Sequence, residues 1–343
     1  MLALASCAPL PPLVLDPPSQ TCRQVVGDAA VAWVPPSDAR SRAAMPRWCA
    51  TIGPAYFRSR PDGPSDFSSP SRPSCPSCLV VVTWNVHVGG GDIEDFVTRL
   101  ERGEFTGGER VTRFVLLLQE VVRRDDRVPA AIDRRLPVPH RINGSGRATR
   151  TDLREIARAH GLALLYAPAM RNGNGRDALE DRGNAIASTL PLQDAEILEL
   201  PFVHQRRVVP IATVGDEAGS WRIRLANVHF DTALALIHGG PSAARRREAQ
   251  AVIAALASSK VPTVVAGDLN TWLGGNEPAV ALLTRAFPDT PPTQPKPTWR
   301  GPLGLTARLD YIFVRGGPQA VTLRRLSNRF GSDHHPLVAV LRF

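Results

Sequence analysis

A carboxylate and two imidazoles stand side by side near the end of the chain, at Asp333, His334 and His335. The apolar run that follows, residues 337–341, is typical of a buried strand, and Pro336 marks its start because proline cannot donate to a sheet ladder. A rigid sheet would therefore hold one group that can bind a cation and two that can transfer protons. Taken alone, however, the same residues also describe an ordinary polar turn before a strand.

Side chains of the same kind occur at the ends of five other predicted strands. These are asparagines, acids and histidines that directly follow or open an apolar run: Asn85 and His87, Glu120, Asn227 and His229, Asp268 and Asn270, and Asp310. Carboxylate and amide oxygens are the ligands that a hard cation such as Mg²⁺ prefers, and the histidines with spare carboxylates would remain for proton transfer. The sequence contains no nucleophile elbow, Walker loop or dinucleotide fingerprint that would indicate another chemistry.

The elements that must position these residues are mostly strands. Apolar and β-branched runs predict them at residues 79–84, 114–118, 162–166, 184–190, 208–214, 221–229, 261–266, 310–314 and 337–341. Helices are predicted at residues 93–100, 152–160 and 243–256, and the arginine-rich residues 122–150 are predicted to form a long surface loop. Asp152 can cap the second helix with Glu155 three residues on, and Gly161 ends it. Many strands with few helices favour a layered α/β sandwich.

The charge of the chain points only weakly to a partner. Its 343 residues carry a formal net charge of +9, which suits a phosphate-bearing or otherwise anionic partner. Nearly all of the basic residues are arginines, since Lys260 and Lys296 are the only lysines. A drift in composition explains such an arginine bias equally well, so charge alone does not predict DNA binding.

The first 78 residues differ in composition from the rest of the chain. They are rich in proline, serine and alanine, and they contain all five cysteines. We expect extended chain with local turns there, with some order around Trp33 and Trp48. The sequence therefore predicts a cysteine-bearing leader or linker at residues 1–78 and a cysteine-free domain at residues 79–343.

Cys7 closes a short match to the cleavage site of bacterial lipoproteins. No basic segment or long apolar run precedes it, so either the true start lies upstream or the match is chance. A lipid anchor at Cys7 would leave four cysteines with three alternative pairings, which an exported protein would oxidise. Cys75 and Cys78 have the spacing of a redox motif or zinc half-site, but no second pair supports zinc. No segment has the length and apolarity of a membrane span. An exported or cell-envelope location is favoured, with the cytoplasm as the alternative.

Seven short motifs stand at these strand edges in a fixed order. They are WNVH at 84–87, QE at 119–120, GNAI at 183–186, NVH at 227–229, GDLN at 267–270, RLDYIF at 308–313 and SDHHP at 332–336. Through them the chain from about residue 79 to 343 resembles the endonuclease/exonuclease/phosphatase superfamily. The resemblance implies an α+β fold, a four-layer α/β/β/α sandwich of two packed mixed sheets flanked by helices. It also implies metal-dependent hydrolysis of phosphoesters, with Mg²⁺ as the cofactor and Mn²⁺ as a substitute.

The resemblance assigns three metal ligands and one substrate contact. Glu120 resembles the principal ligand of the metal, with Asn85 beside it, and Asp333 is expected to reach the metal directly or through water. The alternative for Glu120, a surface carboxylate, is disfavoured because three leucines precede it closely and an unpaired buried charge is costly. Asn184 is expected to contact the substrate.

Five further residues receive catalytic roles from the same resemblance. Asp268 and Asn270 resemble the pair that activates the attacking water and holds a phosphate oxygen, the alternative being a simple turn cap. His334 is expected to contact the scissile phosphate, with Asp310 orienting its ring and favouring its charged form. His229 resembles a second histidine that acts as an acid or a phosphate ligand, the alternative being a satisfied core histidine. His87 and His335 are interpreted as structural or supporting residues.

The function that follows is that of a metal-dependent phosphodiesterase acting on nucleic acid, and we expect it to be a monomer. The alternatives are a sphingomyelinase-like enzyme or a small-molecule phosphatase, and a non-catalytic anion-binding module on the same fold. Residues 122–150 match no known nucleic-acid-binding loop, and aromatic residues make up only 6% of the chain. An exposed aromatic hairpin of the membrane-inserting kind is not predicted either.

Overall fold

The computed structural model describes residues 21–62, 77–129, 150–172, 179–232, 241–293 and 296–343. Its helices are α1 (Ala39–Cys49), α2 (Ile93–Glu101), α3 (Leu153–Ala159), α4 (Pro241–Leu256) and α5 (Pro278–Ala286). Its strands are β1 (Val25–Gly27), β2 (Ala32–Val34), β3 (Ala55–Arg58), β4 (Cys78–Asn85), β5 (Phe114–Arg124), β6 (Ala163–Arg171), β7 (Glu180–Ser188), β8 (Gln193–Glu199), β9 (Val208–Gly215), β10 (Arg222–His229), β11 (Thr263–Asp268), β12 (Trp299–Arg300), β13 (Thr306–Ala307), β14 (Asp310–Arg315), β15 (Ala320–Arg325) and β16 (Leu337–Arg342).

These strands form two large mixed sheets and one short hairpin. The first sheet has eight strands in the order β1-β3-β6-β7-β5-β4-β16-β15, and the second has six in the order β14-β11-β10-β9-β8-β2. Strands β12 and β13 pair only with each other. Each large sheet contains one central parallel pair, β4 with β5 and β10 with β11. The carboxyl ends of both parallel pairs carry polar residues that the sequence singled out.

The two sheets pack face to face, with helices on the outside. Strand β4 shows the pattern, because Leu79 and Val81 join the core between the sheets while Val80 and Val82 contact the helical side. Helices α2 and α3 bury their apolar faces on the first sheet, whereas α4 and α5 cover the second. Strands buried on both faces read as continuous apolar runs. The predicted four-layer α/β/β/α sandwich is confirmed.

The structure corrects the expectation for the beginning of the chain. Residues 25–58 are not extended chain, because β1, α1, β2 and β3 all form there. Strand β3 adds to β6 at the edge of the first sheet, and β2 adds to β8 at the edge of the second. A disulfide between Cys22 and Cys49 closes this segment. The division of the chain into a leader at residues 1–78 and a domain at 79–343 stays a prediction.

The predicted strands and helices are present, although several bounds differ. Strand β5 continues to Arg124, so the predicted loop at residues 122–150 begins later than expected, and most of it lies outside the described residues. Asp152 caps α3 by accepting a hydrogen bond from the amide of Arg154. Cys7 and Cys75 also lie outside the described residues. Within the described parts of the chain, each helix is too short or too polar to cross a membrane.

Candidate active site

Strand ends from both sheets bring the polar motifs together. In the second sheet His229 is paired with Asp268 in register, and Asp268 is paired with Asp310 on its other side. In the first sheet, Asn85 ends β4 and pairs with the residue before Glu120 on β5. The side-chain amide of Asn85 donates to Oδ2 of Asp268 at 3.0 Å and so connects the two sheets. All five residues therefore meet at one edge of the sandwich.

One half of this site, the acidic half, is built from Asp310, His334 and Asp333. The Nδ1 atom of His334 lies 2.8 Å from Oδ2 of Asp310, which is fully buried. This contact leaves Nε2 of His334 facing two other carboxylates, at 3.8 Å from Asp268 and 3.9 Å from Asp333. The second oxygen of Asp310, Oδ1, is buried without a hydrogen-bond partner. A single imidazole is thus surrounded by three acids.

The charges of these acids set the protonation of His334. Burial disfavours a charged imidazole, but the carboxylates of Asp310 and Asp268 outweigh it and raise the pKa of His334 to about 10. Burial also raises the pKa of Asp268, to about 7, and the nearby charge of Asp310 adds to this effect. At neutral pH, His334 is therefore a cation, while Asp268 is poised between its two protonation states.

Two residues, one at each carboxylate oxygen, hold Asp333 in place. Its Oδ2 accepts a hydrogen bond from the indole Nε1 of Trp299 at 2.9 Å, and its Oδ1 lies 3.0 Å from Nδ1 of His87. Burial disfavours its charged form, but the hydrogen bond from His87 and the charge of His334 outweigh it and lower the pKa of Asp333 to about 2. Asp333 is therefore a carboxylate at any physiological pH.

A short loop after β4 organises the residues predicted to bind metal. The amide of His87 donates to Oδ1 of Asn85 at 2.9 Å, and the amide of Val88 donates to Oε2 of Glu120 at 3.0 Å. His87 also contacts Asp333, so residues 85–88 touch all three predicted ligands. Glu120 itself has a φ of 58°, beside an irregularity in the β5–β7 pairing. A left-handed glutamate in a strand is strained, and such strain concentrates at functional sites.

The other half of the site, the basic half, is built from Arg182, Arg207 and His229. The guanidinium of Arg207 lies 3.2 Å from Nδ1 of His229 through its Nη1 atom. Because arginine can only donate, Nδ1 of His229 must accept, and the ring hydrogen is on Nε2. Burial lowers the pKa of His229 well below its usual value, and the charges of Arg207 and Arg182 lower it further. His229 is therefore neutral.

The free nitrogen of His229 points at the shared centre of the site. Its Nε2 atom lies 3.7 Å from Oδ2 of Asp268 and 3.8 Å from Oε1 of Glu120, and it is buried without a hydrogen-bond partner. Contacts of less than 4 Å therefore run from Glu120 through His229, Asp268 and His334 to Asp310. A buried donor without an acceptor is expected where a ligand supplies the acceptor.

Three predicted residues are held by backbone groups. Asn270 has a φ of 50°; its amide nitrogen donates to Oδ1 of Asp268 at 2.8 Å, and its side chain donates to the Phe230 carbonyl at 3.0 Å. The side chain of Asn184 donates to the carbonyl of Val208 at 2.8 Å and thereby joins the two sheets. His335 lies outside the network, since its Nδ1 contacts the carbonyl of Leu326 at 2.9 Å.

Sequence reasoning missed four residues that shape this site. Arg182, Arg207 and Trp299 received no role, and His87 was treated as merely supporting although it contacts Asp333 directly. Arg182 directly precedes the GNAI motif and His87 ends the WNVH motif, so both positions carried a local signal. Arg207 and Trp299 stood next to no motif, and only the folded chain brings them to the site.

The chemistry of the donors fits a divalent cation at the predicted ligands. Within the described residues, Oε1 of Glu120 accepts no hydrogen bond, and Oδ1 of Asn85 keeps a lone pair after accepting from His87. These are hard oxygen donors of the type that Mg²⁺ binds. A second group, Asp268, Asp310 and His334, places one ligand atom of each residue within 4.8 Å of the others and is also compatible with a metal.

A family model places this architecture and site in a known class. The model of the Endonuclease/Exonuclease/phosphatase family matches residues 82–334. The chain therefore belongs to the endonuclease/exonuclease/phosphatase family, and membership makes it a hydrolase of phosphoesters. Among proteins with curated descriptions, none matches the chain.

Solved structures share the fold at low sequence identity. A family protein from Leptotrichia buccalis is 15% identical, with a TM-score of 0.52 over 77% of this chain and 100% of that one. A functionally unknown conserved protein from Enterococcus faecalis is 17% identical, with a TM-score of 0.50 over 77% and 100%. The catalytic domain of human Nocturnin, solved with a bound sulfate anion, is 16% identical, with a TM-score of 0.51 over 78% and 95%. These likenesses concern the fold alone.

Proposed function

We propose that this protein is a Mg²⁺-dependent phosphodiesterase that hydrolyses nucleic acid. The observation that carries the proposal is the line of contacts through Glu120, His229, Asp268, His334 and Asp310. It combines a candidate metal ligand, a neutral donor, a candidate base and a charged imidazole within one small volume. Phosphoryl transfer needs these components, because its catalysis depends on positioning and on stabilising the charge that develops on the phosphate.

Asp268 is the residue best placed to activate the attacking water. Its Oδ1 and Oδ2 are held by Asn270 and Asn85, so the carboxylate cannot rotate freely. Its pKa, raised to about 7 by burial and by Asp310, is matched to proton transfer near neutral pH. We assign to it the removal of a proton from water as the oxygen attacks phosphorus.

His334 and His229 would stabilise the phosphate from two sides. Nε2 of His334 carries a positive charge that Asp310 maintains, and it can donate to a non-bridging oxygen. Nε2 of His229 offers a neutral donor whose orientation Arg207 fixes. Of the two roles expected for His229, its low pKa favours phosphate ligand over acid, since the charged form needed by a general acid is disfavoured.

We assign the metal ion to Glu120, Asn85 and Asp333 rather than to the group around His334. A protonated imidazole cannot coordinate a metal, and the Asp310 carboxylate already binds that imidazole. When bound, a divalent cation supplies Lewis-acid stabilisation of charge on the phosphate. The chain's part is to fix the ligands: Val88 orients Glu120, and His87 with Trp299 orients Asp333.

The decisive test is a substrate panel run in parallel on wild type and Glu120→Ala. Wild-type protein should cleave bis-p-nitrophenyl phosphate and plasmid DNA with Mg²⁺ or Mn²⁺, and EDTA should abolish both activities. Glu120→Ala should lose most of this turnover, whereas Glu217→Ala on an exposed turn should not. No turnover of any phosphodiester by folded wild-type protein would refute the proposal.

The position of the metal can be tested separately by titrating Mg²⁺. Glu120→Gln should raise the Mg²⁺ concentration needed for half-maximal activity, whereas Asp310→Asn should lower the rate at saturating Mg²⁺ with little change in that concentration. The reverse pattern would move the metal to the group around His334. Calorimetric titration of Mg²⁺ into both variants gives the same comparison without turnover.

A lipid phosphodiester is the second candidate substrate, because a surface beside the site is apolar. The hairpin β12–β13 contacts the site through Trp299, and its connecting turn exposes Leu303 (101% exposed) and Leu305 (62%). Exposed leucines beside an active site suit a membrane surface. Cleavage of sphingomyelin vesicles but not of plasmid DNA would favour this candidate.

We also propose that the protein is exported. The disulfide between Cys22 and Cys49 is of the kind that persists in oxidising compartments. A lipid anchor at Cys7 remains part of this proposal. Mass spectrometry of the protein from its native host tests it, and an unmodified Met1 terminus in the cytosol would reject it.

A further inference from the structure

Five arginines in and around the core differ in whether a carboxylate is their partner. Three buried arginines each hold a carboxylate through their guanidinium: Arg123 with Asp181, Arg206 with Glu199 and Arg245 with Glu277. In contrast, Arg182 and Arg207 form no ion pair with a carboxylate among the described residues. Both of these lie in the basic half of the active site.

The side-chain contacts of these two arginines are with neutral groups. A guanidinium nitrogen of Arg182, Nη2, lies 3.2 Å from the sulfur of Met170, and a thioether accepts hydrogen bonds poorly. Arg207 contacts the ring of His229, and its Nε is buried without any partner. Burial lowers the pKa of Arg182, and the charge of Glu120 offsets this only in part. Two positive charges therefore stand close together, and neither forms an ion pair with a carboxylate among the described residues.

The packing of the two sheets places both arginines near the reaction centre. Arg182 and Asn184 alternate onto the same face of β7, because successive side chains of a strand point to opposite faces. Asn184 donates to the carbonyl of Val208, the residue that follows Arg207, so this face meets Arg207 across the two sheets. Arg207 in turn touches His229. Arg182 is half-buried, and Arg207 is buried.

Uncompensated buried cations destabilise a folded chain unless a ligand brings the missing charge. Arginine forks bind phosphate through two parallel hydrogen bonds, which makes phosphate the matching anion. In the proposed function, the scissile phosphate lies among Asp268, His334 and His229, which contact one another. The arginines would therefore serve a different phosphate from the one that reacts.

We propose that Arg182 and Arg207 form a subsite for a second phosphate group, adjacent to the scissile phosphodiester in the same substrate. This inference rests on the proposed function and narrows it to substrates with neighbouring phosphates. Such substrates include a nucleic-acid strand and a small phosphorylated nucleotide. A choline headgroup is disfavoured, because it would place a fixed positive charge next to two arginines.

Two chromogenic substrates with the same scissile bond test the subsite directly. Thymidine 5′-(p-nitrophenyl phosphate) has one phosphate, and its 3′-phosphorylated form has a second. Wild type should prefer the 3′-phosphorylated form in kcat/KM, and Arg182→Gln should reduce this preference by roughly 10- to 100-fold, the range of a lost charge-assisted hydrogen bond. The matched control is Arg222→Gln, an exposed arginine at the opposite end of β10 from His229. This control should keep the wild-type preference.

A binding measurement tests the subsite even if the protein hydrolyses neither compound. Thermal unfolding with EDTA should show a larger stabilisation by pyrophosphate than by phosphate for wild type, and Arg182→Gln should lose that difference. In the absence of anions, Arg182→Gln should unfold at the same or a higher temperature than wild type, because it removes an uncompensated charge. A merely structural arginine would give a lower unfolding temperature instead. An unchanged preference for pyrophosphate in Arg182→Gln would overturn the proposal, whereas failure of turnover alone would affect only the proposed function.

A modified oligonucleotide separates the two sources of the second phosphate. Replacing the phosphate next to the scissile linkage by a neutral methylphosphonate should slow wild-type cleavage and leave Arg182→Gln nearly insensitive. That result assigns the subsite to a nucleic-acid strand. If only the small 3′-phosphorylated substrate shows the effect, the second phosphate belongs to a small nucleotide. If Arg182→Gln responds to both modifications as wild type does, the subsite is refuted.

Discussion

The acidic and basic halves of the site each contain one buried histidine, yet the two rings differ in charge. His334 faces Asp310 at 2.8 Å and has a pKa of about 10, so it is protonated. His229 faces Arg207 at 3.2 Å and has a pKa well below its usual value, so it is neutral. Residue type therefore does not decide the charge of an imidazole; the partner at its second nitrogen does.

Because of this difference, the positive charge lies at a different distance from the substrate in each half of the site. In the acidic half, the positive charge is on the imidazole itself and can reach the phosphate directly. In the basic half, the positive charge is on Arg182 and Arg207, one layer further out, and His229 presents only a neutral N–H. A substrate with two phosphates would meet the charged His334 in the acidic half and the two arginines in the basic half.

The largest effect is expected where the two halves meet, at Asp268. Its Oδ2 lies 3.8 Å from Nε2 of His334 and 3.7 Å from Nε2 of His229. Asp268→Asn should lower kcat on the order of 10²–10⁴-fold, the usual contribution of a general base. The control is Asp126→Asn, whose side chain is 90% exposed. A loss below tenfold for Asp268→Asn in steady-state assays would remove it as the base.

The next largest effect is expected when each of the two histidines is replaced by glutamine. His334→Gln should lower kcat on the order of 10²–10³-fold, because it removes a charged donor from the phosphate. His229→Gln should cost only about tenfold, since the glutamine amide can replace a neutral donor. Equal losses at neutral pH would break the comparison, as would a larger loss for His229→Gln.

The two histidines should also make the free energy of unfolding depend on pH in opposite ways. Because the folded pKa of His334 is raised, its contribution is complete below about pH 6.5 and is lost as the pH rises through about 10. Because the folded pKa of His229 is lowered, its contribution is complete above about pH 6.5 and is lost as the pH falls from there through the lowered pKa of the folded state. The change for His334 should be on the order of 5 kcal/mol in the free energy of unfolding, since its pKa is raised from 6.5 to about 10.

Denaturant unfolding of both variants across pH measures this opposition. His334→Gln should lose less stability than wild type on the alkaline side, and His229→Gln should lose less on the acidic side. Asp268 contributes in the same direction as His334 but at lower pH, since its pKa is raised from 3.8 to about 7. Identical pH curves for wild type and His334→Gln would mean that Asp310 does not hold the charge of that ring.

The sequence predicted the acidic half far better than the basic half, for a physical reason. Asp310 and His334 of the acidic half, and Asp268 where the two halves meet, each adjoin a long apolar run, so their strands and their place at strand ends follow from periodicity. The importance of Arg182 and Arg207 comes from the carboxylates they lack, which is a property of the folded chain. In a sequence with 41 basic residues, no local pattern distinguishes an unpaired arginine from a paired one.

The strands at the beginning of the chain were not predicted because they are too short to show a period. The expected order around Trp33 and Trp48 is present in β2 and α1. Strands β1 and β2 have three residues each, and each forms by pairing with a neighbouring strand, β3 and β8 respectively. The stability of such strands comes from the sheet they join rather than from their own residues. The left-handed backbone of Glu120 is likewise invisible in sequence, because a glutamate carries no signal for a positive φ.

The smallest effect is expected at Trp299, which supports the acidic half from outside. Its indole N–H donates to Oδ2 of Asp333 at 2.9 Å, while His87 holds the other oxygen. Trp299→Phe keeps an aromatic side chain, although a smaller one, and removes this hydrogen bond, whose net worth is about 1 kcal/mol. The Mg²⁺ concentration for half-maximal activity should therefore rise less than tenfold, with the preference for a 3′-phosphorylated substrate unchanged because the basic half is untouched. A change in that preference would show that the two halves are coupled through Asp333. It would contradict the view that the charge of each histidine is set independently by its own partner.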